Sequence, residues 1–200
     1  MKKIISIFVL LTCALSVNAL PGKKSMFIKL NTPDNAWVDS DISNKVLRTF
    51  SRASNFTVSM LDENSNIEPA FPQNYFDTDN LLEWGTEVGG RFIMVIDVQS
   101  ERIETRKSFH LPLVFHKYQT YGVIEGEVRV FDLERKKLVH AKPFKVEEKG
   151  SRIFQATMDD DKHDPDLHIS STEKIKFFNK LEEKFVTELQ KSTRGYLGMR

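Results

Sequence analysis

The chain has 200 residues, 29 Lys+Arg against 28 Asp+Glu, and a single cysteine. That length allows one domain or two small ones, and it buries about 70% of the unfolded surface without disulfide staples. Near-neutral charge excludes general nucleic-acid binding, which needs a basic surface to release phosphate counterions; 40% hydrophobic residues, 15 of them Phe, exclude a disordered chain.

Lys2 and Lys3 precede a short apolar run, Ile4 to Leu11, and Val17-Asn18-Ala19 places small residues where a signal peptidase reads. The run is shorter than the roughly 20 residues a bilayer needs. Residues 1–19 therefore read as a cleaved export signal, with one domain over 20–200. Cleavage removes two Lys and no acid, leaving 27 basic against 28 acidic side chains, and it removes Cys13. Leu10-Leu11-Thr12-Cys13 also resembles a lipobox, so lipid attachment at Cys13 stands as the alternative to cleavage at Ala19. Export without disulfides suits a bacterial periplasm.

Met26 to Leu30 is a short strand, closed by turn formers over 31–35. Asp39, Ser40 and Asp41 supply helix N-cap oxygens, and Ile42, Val46 and Phe50, with Leu47 beside them, form one apolar stripe. Phe56 to Leu61 alternates as a half-buried strand; 62–76, with two Pro and three Asn, is a loop. Asp77 or Thr78 caps a second helix carrying Leu81, Leu82 and Val88, which stops at Gly89-Gly90. Phe92 to Ile96 is continuously apolar, as in a strand covered on both faces.

Residues 99–118 have no firm assignment and read as an inserted loop. Tyr121 to Leu133 is a strand with Ile124, Val128 and Val130 inward and Glu125, Glu127 and Arg129 solvated; Leu138 to Glu148 is its hairpin partner. Pro143 has no amide to donate, which puts that partner at an edge or a bulge. Ser170-Ser171-Thr172-Glu173 is a capping box, and Ile175, Phe178, Leu181, Phe185 and Leu189 line the face of the helix it opens. The expected fold is a mixed α/β (α+β) single domain, two- or three-layered around a mixed sheet, in the order β-α-β-α-β-β-β-α.

No phosphate loop, HExxH, CxxC or nucleophile elbow occurs, so the chain reads as no enzyme, with no cofactor and no evident small-molecule substrate. Among the histidines, His140 reads as a sheet-face residue, and His110 and His116 flank an apolar stretch. Two candidate sites remain. Asp159, Asp161, His163, Asp164, Asp166 and His168 combine carboxylates that suit hard cations with imidazoles that suit transition metals. The competing reading is a solvated linker whose negative charge faces the next helix N-terminus. The second candidate is partner binding by Phe109, Leu111, Leu113, Val114 and Phe115, an apolar tongue with Pro112 discouraging open-ended strand pairing. It competes with a flap over the domain's own core.

Leu82-Glu83-Trp84-Gly85-Thr86-Glu87-Val88-Gly89-Gly90-Arg91-Phe92-Ile93-Met94-Val95 resembles a helix–turn–buried-strand segment of a bacterial envelope superfamily, and Val128 to Val139 is similar to its following hairpin. The superfamily includes the curli secretion component CsgG, the penicillin-binding-protein activator LpoB, the flagellar ring protein FlgT and the N-terminal domain of TolB. This chain carries Arg135-Lys136 where the family has Thr-Gly in the turn. The resemblance spans most of 24–195. It implies a non-catalytic module that assists flagellar, secretion or cell-wall machinery by binding an envelope protein or its own copies, with peripheral membrane contact left open. Residues 99–118 do not read as two strands of 9–11 alternating residues, so a CsgG-type pore is not expected. The alternatives are a structural subunit of a surface appendage or sheath, and a secreted cation-binding protein using the 159–168 loop.

Overall fold

A computed structural model describes residues 24–33, 41–61, 67–111, 115–155 and 170–199. The elements run β1 (Ser25–Asn31), α1 (Asp41–Ala53), β2 (Thr57–Met60), α2 (Thr78–Glu87), β3 (Phe92–Leu111), β4 (Phe115–Asp132), β5 (Lys137–Gln155) and α3 (Ser171–Leu197). This is the expected order, β-α-β-α-β-β-β-α, on one five-stranded mixed sheet ordered β2-β1-β3-β4-β5. β1 pairs in parallel with β2 and β3, while β3, β4 and β5 are antiparallel.

Alternation along the central strands divides the core in two. Met26 and Ile28 of β1 join Phe92, Met94 and Ile96 of β3 beneath Ile42, Val46 and Phe50 of α1 and Leu181, Phe185 and Leu189 of α3. Phe27, Ile93 and Val95 point the other way, onto Leu81 and Trp84 of α2. β1 and the first half of β3 are thus the middle of three layers, which is why 92–96 carries no polar residue. Trp84 anchors the α2 side: its indole N–H donates to the Pro69 carbonyl at 2.7 Å, and its ring meets Phe27 and Phe71 edge-on.

The helix ends follow their local chemistry. Asp77 is the N-cap of α2, its Oδ1 accepting from the Asp79 and Asn80 amides at 3.0 and 3.4 Å. The α3 capping box closes in both directions, with Ser170 Oγ accepting from the Glu173 amide and Glu173 accepting from that of Ser170. The apolar face of α3 continues past Leu189 to Leu197, and Phe177 and Val186 are buried with it. Ile175 departs from the expected stripe. It lies near the start of the helix, ahead of Phe177 and Phe178, the first residues buried there, and is 59% exposed.

Where an inserted loop is expected over 99–118, the described residues, 99–111 and 115–118, are strand. β3 runs unbroken to Leu111, β4 starts at Phe115, and β5 extends to Gln155. β1 ends its pairing at Asn31 opposite Asp97, so the outer part of β3 is joined only to β4 among the described residues. A three-stranded arm therefore projects about 40 Å beyond the last β1 contact, at about 3.4 Å per residue. The strand pair was hidden by a bulge between Val98 and Ser100, which reverses the inward–outward parity. Before it, even-numbered residues face α1 and α3; beyond it, Glu101 and Ile103 do.

Gly126 makes the bulge sterically feasible. A Cβ there would stand 2.0 Å from the Asp97 carbonyl oxygen, so β3 and β4 approach this closely only with glycine.

Candidate functional site

The arm places the expected tongue at its far end. Phe109 and Leu111 are among the last residues of β3 and Phe115 opens β4, with backbone registers Phe109–Lys117, His110–His116 and Leu111–Phe115. Leu113 and Val114 lie outside the described residues, as do all six residues of the cation candidate: Asp159, Asp161, His163, Asp164, Asp166 and His168. His110 and His116, read as flanking a loop, are opposite one another across the ladder.

One face of the arm is closed by charge. Arg102 pairs with Glu104 and Glu125 at 2.7 Å each, Glu125 with Lys145 at 2.7 Å, and Lys145 with Glu147 at 3.5 Å. Arg106 completes the circuit to Glu147 at 2.7 Å and Glu104 at 2.8 Å. Three cations and three anions from three strands thus form a neutral ring. Val123, opposite Arg102 on β3 and Glu147 on β5, is fully buried within it. The Arg106 guanidinium also stacks on Tyr121, 4.4 Å from the ring centroid. The hydrogen bond from Arg102, then that from Lys145, lowers the Glu125 carboxyl to about 2. The charges on this face therefore satisfy one another.

The opposite face is covered near its base by α3, where the Phe177 ring packs against Gly122 and Gly150. Charge is buried here too. Glu182 of α3 is 1% exposed at its side chain and pairs with Lys45 of α1, which also donates to Asn179 Oδ1 at 2.8 Å. Glu101 of β3 lies on the same side; burial, then the nearby Glu182 carboxylate, raises its carboxyl to about 7.

A third polar group sits where β1 stops. α1 leaves β1 toward one face of the sheet and α2 enters β3 from the other, so β1 and β3 border a topological switch point. Open α/β sheets place ligands outside the carboxyl ends of strands at such points. On the α2 side, Asn31 Nδ2 donates to Asp97 Oδ1 at 2.8 Å. One register back, Lys29 and Arg129 flank Val95. Tyr75 and Phe76 arrive from the loop before α2; burial, then Asp97, raises the Tyr75 hydroxyl, while Arg129 opposes the shift. Strand alternation predicts Arg129 on a solvated face. It is instead only 9% exposed, beneath the Phe76 ring at 4.6 Å. Alternation alone assigns it to solvent, and only the loop crossing over it reverses that. His140, read as a sheet-face residue, stacks on Tyr196 of α3 at 4.5 Å between ring centroids.

Among the described residues, no helix is long and apolar enough to cross a membrane, and no group of three or more His, Cys, Asp or Glu could hold a metal. No protein-family profile matches the chain, and no curated protein matches it by sequence. Solved structures do match. Protein XCC0632 from Xanthomonas campestris is 12% identical, with 88% of this chain and 90% of that one covered and a TM-score of 0.45. Lipoprotein GNA1162 from Neisseria meningitidis is 12% identical over 84% of this chain and 99% of that one, TM-score 0.40. The C-terminal domain of LpoB from Salmonella enterica is 9% identical over 66% and 87%, TM-score 0.36. All three are bacterial proteins, and GNA1162 is a lipoprotein.

Proposed function

We propose that the chain is an exported, non-catalytic accessory or assembly protein of a bacterial envelope, acting through protein–protein contacts at the end of its arm. The observation that carries this reading is the arm itself. Three strands project past the last β1 contact, and β3 ends at Leu111 and β4 begins at Phe115, which puts the backbone of the apolar sequence Phe109 to Phe115 at the end of the arm. Strand pairing gives such a tip a rigid base, so docking it orders little additional chain. The export-signal pattern at residues 1–19 supplies the compartment.

The test is cross-linking in cells with a tagged chain that keeps its signal, comparing the parent with Leu111→Asp/Leu113→Asp. Capture of a flagellar, cell-wall or secretion component by the parent and its loss in the variant supports the reading. Capture that survives the double substitution overturns the tip as the contact surface. Capture of the chain's own copies alone favours a structural subunit.

A further inference from the structure

Lys29 and Arg129 are two cations on the α2 side of the switch point, and among the described residues neither has a carboxylate within hydrogen-bond distance. Lys29 makes no ion pair among the described residues; its ammonium lies 5.9 Å from the centre of the Phe71 ring. Among the described residues Arg129 has one ion pair, to Glu127 at 3.9 Å through Nε, and its Nη2 is buried with no hydrogen-bond partner. Arg91 makes a useful contrast. Its Nη1 also lacks a hydrogen bond, but that nitrogen is ion-paired with Glu134, and Nη2 reaches Asp132 at 3.1 Å. A buried guanidinium calls for a counter-charge or hydrogen-bond acceptors facing its N–H groups.

The nearby acids leave this donor open. Asp97 is held by the Asn31 amide, and Glu127, 38% exposed at its side chain, touches Arg129 from the Nε side only. Lys29 and Arg129 stand two strands apart across Val95, about 10 Å between backbones at about 4.8 Å per strand spacing. Both side chains are long enough to converge on one small group between them. Tyr75 adds a hydroxyl from the overlying loop, and Phe76, 56% exposed, covers Arg129 from the solvent side.

We propose that Lys29, Arg129 and Tyr75 form a binding site for an oxyanion, the phosphoryl or carboxylate group of a small ligand, at the β1–β3 switch point. The guanidinium supplies paired, planar donors that match two oxygens of such a group, and the lysine supplies a point charge on its other side. The site lies on the α2 side near the sheet centre, away from the arm tip, so it stands or falls independently of the docking reading.

Thermal unfolding of the purified protein tests it. Inorganic phosphate and acetate are titrated separately against NaCl of matched ionic strength, using the parent, Lys29→Gln and Arg129→Lys. A saturable rise of about 2–4 °C in the parent beyond the NaCl control is expected, following mass action on the folded state. Both variants should lose most of it. Arg129→Lys keeps the charge while removing the fork, and half-buried Lys29 can be changed without opening the core, so a folded variant remains available. A rise with phosphate alone identifies a phosphoryl ligand, and one with acetate alone a carboxylate. No rise with either anion, or a rise that persists in both variants, overturns the site.

Discussion

Lys45 of α1 and Glu182 of α3 form an ion pair nearly sealed from solvent, with side chains 17% and 1% exposed. The pair ties two helices that share one face of the sheet, and Glu101 of β3 adds a second carboxylate to the same buried region. Two acids and one lysine make the helical layer sensitive both to loss of a partner and to pH.

Removing one member of such a pair leaves the other charge buried, which costs more than the pair contributes. Glu182→Ala should therefore destabilise the protein by about 3 kcal/mol, and Glu182→Leu combined with Lys45→Met should recover much of the loss. Urea unfolding at pH 5 is the measurement, because Glu101 is protonated there and its own response is removed. A double variant no more stable than Glu182→Ala would contradict the argument.

Glu101 titrates near 7 in the folded chain against an ordinary 4.5. Between those values the folded state holds a proton that the unfolded state has released, so stability falls as pH rises from 4.5 to 7. The contribution is complete below 4.5 and gone above 7. Glu101→Gln should flatten this dependence and exceed the parent by about 1–3 kcal/mol at pH 8, while matching it near pH 4.5. Parent stability that is level from pH 5 to 8 would refute the assignment.

Gly126→Ala should cost about 3 kcal/mol or more, since the added Cβ meets backbone at 2.0 Å and the bulge must open to admit it. Hydrogen exchange should show the loss concentrated in Val98 to Arg102 and their β4 partners. Uniform exchange across the sheet would mean that the bulge is not what the glycine supports.

Local chemistry was legible wherever one segment carries its own signal. The Asp77 cap, the Ser170–Glu173 capping box, the α1 stripe and the apolar 92–96 run each depend on neighbours within a few residues, and they mark the three helices and the central strand. Pro143 implies an edge or a bulge, and β5 is the outermost strand beside β4. Residues 99–111 resisted because their strand carries charge on alternate positions and gains its order from partners on β4 and β5. Arg102 means little until Glu125 lies across from it.

The amino-acid sequence by itself determined the elements, their order and the caps that end them, because hydrogen bonds and apolar periodicity within a segment suffice. Tertiary structure alone decided that the strands run on into an arm, that a bulge reverses their faces, and that Arg129, Glu101 and Glu182 are withdrawn from water. Burial is a property of what crosses above a residue. Tyr75 and Phe76 are more than fifty positions from Arg129, and no local pattern encodes their arrival.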